Sequence, residues 1–97
     1  MKLRKSWQTT EGYLDKAFKL LPSTVINNPE GGSVSEYKKY LLHNELELAL
    51  DELEGLGEAN DFPEEYWQQL FNAAKEMGLN KHKKRYLDIL RNFSGKK

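Results

Sequence analysis

Glu47, Asp51 and Glu54 recur at i, i+4 and i+7, which on a helix sets three carboxylates in one row, and Glu58 and Asp61 carry the row onward. Carboxylates one helical turn apart can hold a divalent cation, and a carboxylate pair in a cleft can do acid and base chemistry. They can also simply present negative charge. The segment around them decides which reading to prefer. From His43 to Glu65 there are nine carboxylates and no Lys or Arg, and no basic residue occurs between Lys39 and Lys75. On a segment acidic throughout, spaced carboxylates are expected to be solvated, so we expect no metal here.

The remaining reactive side chains form no recognisable catalytic pattern. Hydrolysis or phosphoryl transfer needs a nucleophile beside a base, a carboxylate pair in a cleft, or a phosphate-cradling glycine loop. His43 and His82 are the only histidines and fall on different expected elements, with no ligand-spaced His, Cys or carboxylate around either in the local sequence. Gly31-Gly32-Ser33 follows no strand and precedes no Lys, so it reads as a flexible turn. No enzyme, cofactor or metal site is expected.

The basic counterpart of the acidic row lies at the end of the chain. Lys81, Lys83, Lys84, Arg85 and Arg91 sit outward on one amphipathic segment and can neutralise several phosphates. Against that stands a balance of 15 basic and 15 acidic residues, because the acidic block repels what the basic segment attracts. Nucleic acid is therefore the second reading, and a solvated face the first. For the acidic row two readings stay open, a wet helix side and a docking surface. Ordinary surface helices support Glu with Lys at i+4, and this one forgoes every such pair. Leu48 lies on the same outer side as a candidate apolar anchor, with Tyr37 and Tyr40 as further candidate contacts.

Ninety-seven residues allow one core, since chains of this size bury only roughly 60 to 65 per cent of their unfolded surface. We expect a single domain over 1–97 with a frayed tail from about 94. Apolar residues at 38 per cent, with two Trp and five Tyr, are enough to fold. Absence of cysteine removes disulfides, thiolate zinc sites and cysteine nucleophiles, and agrees with a reducing compartment. The N-terminal cations lead into no run of roughly 7 to 15 apolar residues, so no export signal is expected. With a mean hydropathy of -0.80 and no apolar stretch of about 18 residues, no membrane span is expected. The cytoplasm is the expected location.

Periodicity predicts five segments, read as an all-α bundle of four to five short helices. The first runs from about Thr10 to Leu21, with Leu14, Ala17, Phe18 and Leu21 inward, and Pro22 closes it. Residues 22–33 form a loop that Val25 and Ile26 can pin to the core. Ser33-Val-Ser-Glu36 has the form of a capping box and starts a helix that carries Val34, Tyr37 and Leu41 inward, with Tyr40 a further candidate for that face. At His43-Asn44 the Asn can end that helix in the left-handed conformation or cap the next, and a new helix starts near Glu45; a single helix from Val34 to Glu54 is the alternative. The third segment buries Leu46, Ala49, Leu50 and Leu53 and is expected to stop at Gly55 and Gly57. Asp61 caps a fourth helix over Pro63–Met77, closed at Gly78-Leu79, and a fifth runs over Asn80–Phe93 with Tyr86, Leu87, Leu90 and Phe93 inward.

The run VSEYKKYLLHNELELALDELEGLG, followed by DFPEEYWQQLFNAAKEMGL, resembles the small helical immunity proteins of bacterial contact-dependent growth inhibition and polymorphic-toxin systems. The likeness covers Val34 to Leu79 and rests on packing and capping motifs. It implies a cytoplasmic, non-enzymatic inhibitor that binds the C-terminal toxin domain of its own system as a 1:1 heterodimer. Such toxins are commonly nucleases with basic clefts, here with an RNase favoured over a DNase, blocked at the active site or beside it. The resemblance transfers no site residues. Those come from charge: Glu47, Asp51, Glu54, Glu58 and Asp61 would meet cations of the toxin, and Leu48, Tyr37 and Tyr40 would supply apolar contact. The alternative is a nucleic-acid-binding regulator working through the last helix.

Overall fold

In the computed structural model, which describes residues 2–22 and 24–95, the chain is a compact all-helical bundle of five helices. They are α1 (Lys2–Phe18), α2 (Val34–Leu42), α3 (Leu46–Ala59), α4 (Glu64–Met77) and α5 (Asn80–Gly95). The radius of gyration, 12.9 Å, is close to the roughly 12.5 Å of a packed chain of this length. No helix among the described residues is long and apolar enough to cross a membrane.

Helix α4 is central because its broad apolar face meets three other helices. Tyr66, Trp67, Leu70, Ala73 and Ala74 are all buried, and α4 packs against α1, α3 and α5. The small Ala73 and Ala74 let a neighbouring helix come close, while the aromatic residues fill the wider gaps. Rings run in series from Phe62 through Tyr66 and Trp67 to Tyr86, with centroids 4.7, 5.7 and 6.1 Å apart. The Tyr66 hydroxyl donates to the Leu53 carbonyl, so the buried phenol is satisfied by α3. At the end of α4, Gly78 adopts a left-handed φ of 71°. The Leu79 and Gly78 amides reach back to Ala74 and Lys75, the expected Schellman closure.

The elbow between α2 and α3 forms as a turn, so the two helices are separate. Asn44 takes a φ of 59°, and the amides of His43, Asn44 and Glu45 donate to Lys39, Leu41 and Tyr40. Ser33 caps α2 by accepting from the Glu36 amide, but only half of the capping box forms. The Ser33 amide donates to Glu52 of α3 at 3.0 Å, because the tertiary carboxylate is better placed than Glu36. In the preceding loop Val25 packs on the core, whereas the Ile26 side chain is 63% exposed. Ile26 is held by its backbone, which both donates to and accepts from the Asn60 amide group.

Several expected boundaries are corrected. Helix α1 begins at Lys2, not near Thr10, because its first residues are mostly straight-chain helix formers that periodicity does not reveal. It ends at Phe18, after which tightened bonds from Leu20 to Ala17 and from Leu21 to Phe18 carry the apolar stripe one more turn. Gly55 and Gly57 do not end α3; they are buried within it. A Cβ on Gly55 would overlap the Gly31 carbonyl oxygen, and one on Gly57 would lie 2.6 Å from the Trp67 ring. These glycines admit close neighbours, and tertiary packing overrides their low helix propensity. Pro63, not Asp61, is the N-cap of α4, and it makes no side-chain cap. Leu87 is 37% exposed, since α5 covers α4 with the narrower stripe of Tyr86 and Leu90. The tail expected to fray from 94 is helical through Gly95, and Lys96 and Lys97 lie outside the described residues.

Candidate docking face

Asp51 and Glu54 lie three apart on α3, and His82 and Arg85 lie three apart on α5. Both helices pack on α4, and the matched spacing lets their side chains bridge in two rungs. His82 Nε2 lies 2.7 Å from Asp51 Oδ1. Arg85 donates from Nε and Nη2 to the two oxygens of Glu54, each at 3.0 Å, a bidentate pairing. The Tyr86 hydroxyl adds a third bond to Glu54 Oε1 at 2.7 Å. Helix α5 thus supplies an imidazole to Asp51 and a guanidinium to Glu54, partners that α3 lacks in its own sequence.

The electrostatics follow from these contacts. Burial pushes the Glu54 carboxyl up, but hydrogen bonds from Arg85 and Tyr86, with the charge of Arg85, bring it below the ordinary carboxylate value. The same bonds to Glu54 hold Arg85 above its usual range. Glu52 moves the other way. Its burial, aided by Glu36 and Asp51, outweighs the bond from the Ser33 amide and raises it. Burial raises the hydroxyls of Tyr37, Tyr66 and Tyr86 as well, so these phenols stay protonated at neutral pH.

The reading of an unpaired acidic row is therefore corrected for two of its members. Asp51 and Glu54 are partnered within the molecule, and the Glu54 side chain is only 15% exposed. The local sequence around His82 held no ligand-spaced carboxylate, yet the fold puts its nitrogen and oxygens of Asp51 and Glu54 within 4.8 Å of one another. That donor set is of the kind a metal ion uses. Both oxygens of Glu54 already accept from Arg85, and one also from Tyr86, so a metal ion would have to displace a guanidinium. The arrangement is explained as a hydrogen-bonded cluster, with an ion pair between Arg85 and Glu54, that joins α3 to α5.

Tyr37 is also corrected as a contact residue. It is 2% exposed and stacks on Phe18 with centroids 5.0 Å apart, so it has no surface to offer. Tyr40 is half-buried against the core. Glu47, Leu48, Glu58 and Asp61 do lie on the surface, and no ion pair engages the three carboxylates among the described residues. Glu58 opens onto a depression of about 290 Å³ shared with Glu30, Glu52, Asp51 and Glu54, where Arg85 is the one cation in the lining. Sequence reasoning did not place Glu30 and Glu52 in the site; Glu52 lies on α3 itself, and Glu30 is brought to the depression by the Gly31–Gly32 backbone lying against Gly55. It also missed Leu42, which is 79% exposed although the residue before it packs inward. On α5, Lys81, Lys84 and Arg91 remain exposed, but Arg85 is committed to Glu54.

Compared with protein-family models, with curated proteins and with solved structures, the chain finds no match.

Proposed function

We propose that this chain is a cytoplasmic inhibitor of the immunity-protein kind. It binds the C-terminal toxin domain of its own system one to one and blocks a basic active-site cleft or the surface beside it. The observation that carries the reading is the charge left over after α5 has paired with α3. Glu47, Glu58 and Asp61 stay exposed and outside any ion pair among the described residues, on the stretch that has no Lys or Arg of its own. The resemblance of residues 34–79 to such proteins supports the same reading. An acidic surface suits rapid capture of a cationic protein, since complementary charge raises association rates more than it raises final affinity. The toxin is a nuclease, with RNA the first substrate to test.

The test is co-expression with the C-terminal domain of a large secreted protein encoded beside this chain. Rescue of growth, recovery of a 1:1 complex and an association rate that falls with salt are the expected results. Changing Glu47, Glu58 and Asp61 together to Lys should slow association about tenfold or more without loss of helical circular dichroism. Glu54 is unsuited to this test, because reversing it also breaks the contact with α5. Failure to rescue growth or to form a complex would overturn the proposal.

A further inference from the structure

The α2–α3 elbow presents two leucines to solvent from the same end of the hairpin. Leu42, the last residue of α2, is 79% exposed, and Leu48, the third residue of α3, is 42% exposed. The other large apolar side chains found exposed, Leu20, Ile26 and Leu87, occur singly at the end of α1, in the loop and on α5. Scattered apolar residues of that sort are ordinary on a protein surface. Two exposed leucines on either side of one elbow, six positions apart, are a different matter, because the turn between the helices is tied by its own backbone hydrogen bonds. The amides of His43, Asn44 and Glu45 are all used within the elbow. Asn44 holds the left-handed conformation, and Leu46, between the two exposed leucines, is buried in the core. Side chains carried by a fixed backbone lose less freedom on binding.

The charges around the elbow indicate what covers it. Glu45 and Glu47 are exposed on the α3 side and make no ion pair among the described residues, while Lys39, one turn before Leu42, marks the α2 side. We propose that the elbow is the apolar anchor of the partner interface. Leu42 and Leu48 enter an apolar pocket on a cationic protein surface, whose rim sets Lys or Arg opposite Glu45 and Glu47. This inference rests on the functional reading above and deepens it, naming Leu42 as a contact that charge alone does not indicate. It divides the work in the usual way for interfaces, with buried apolar anchors governing dissociation and rim charges governing encounter.

The experiment measures binding kinetics between the full chain and the C-terminal domain encoded beside it. Leu42→Ala and Leu48→Ala should each raise the dissociation rate about tenfold and the double variant about a hundredfold. Association should change little, and because both side chains are exposed the circular dichroism should not change. Glu45→Lys with Glu47→Lys should lower the association rate instead. A complex that forms with the wild-type chain but dissociates equally slowly from the double variant would overturn the elbow while leaving the functional reading intact. Absence of any complex would overturn both. Dimers of the wild-type chain that the double variant abolishes would show that a second copy is the occupant, which overturns the cationic partner.

Discussion

Arg85 approaches Glu54 side-on, with Nε and Nη2 each 3.0 Å from a different carboxylate oxygen, and so fastens the last helix to the third. The neighbouring Tyr86 closes the same carboxylate from the buried side. Replacing Glu54 removes partners from two groups at once. Glu54→Ala strands the Tyr86 hydroxyl in the core and should cost about 1–3 kcal/mol in urea denaturation. Arg85→Ala should cost less, about 1 kcal/mol or below, since Arg85 is 47% exposed and water can replace part of what it gives up.

Acid should loosen this fastening in a defined window. The folded Glu54 carboxyl lies below its ordinary value of 4.5. Its stabilisation is therefore complete above the ordinary value and is lost as the pH falls through the folded one. Glu52 has the opposite sign, being raised in the folded state, so its carboxylate contributes less than nothing at neutral pH. Glu54→Gln should be less stable than the wild-type chain near pH 7, with the gap closing as the pH falls below 4.5 and through the folded value. Glu52→Gln keeps an oxygen for the Ser33 amide and should be at least as stable as the wild type near pH 7. Denaturant midpoints at the two pH values check both.

Two glycines in helices should respond oppositely to alanine. Gly12 in α1 has open space where a methyl would go, with nothing within 4 Å, so Gly12→Ala should stabilise by about 0.5–1 kcal/mol through helix propensity. Gly55→Ala drives a methyl into the Gly31 carbonyl and the backbone of Gly32, which cannot yield as a flexible side chain would. It should destabilise by about 1–3 kcal/mol, seen as a lower midpoint in thermal melts.

Thr10 offers a gain in stability. Its hydroxyl oxygen is buried and finds no hydrogen-bond partner among the described residues. Thr10→Val keeps the shape and removes the stranded polar atom, so it should raise stability by about 1 kcal/mol. A melting temperature at or below that of the wild type would show that the hydroxyl is satisfied in solution.

The bundle is legible from particular residues. Leu46, Ala49, Leu50 and Leu53 mark the buried stripe of α3, Asn44 the turn before it and Gly78 the end of α4, and each takes the expected place. Such features depend on contacts within about one helical turn, which local sequence encodes directly. Local sequence misplaces a stop at Gly55 and Gly57 for the same reason. Their purpose is to admit the Gly31–Gly32 backbone and the Trp67 ring, and neither neighbour is near in sequence.

The candidate site divides along the same line. By itself the sequence determined an all-helical chain with its charge segregated, acidic from Glu45 to Glu65 and basic from Lys81 onward. Only the tertiary structure decided which charges neutralise each other. It consumed Asp51 and Glu54 on His82 and Arg85, buried Tyr37, and left Glu47, Glu58, Asp61 and the leucines of the elbow facing outward. The physical reason is range: helical periodicity sets which face a side chain occupies, whereas pairing across 31 residues depends on how α3 and α5 are each seated on α4, which brings their side chains within reach.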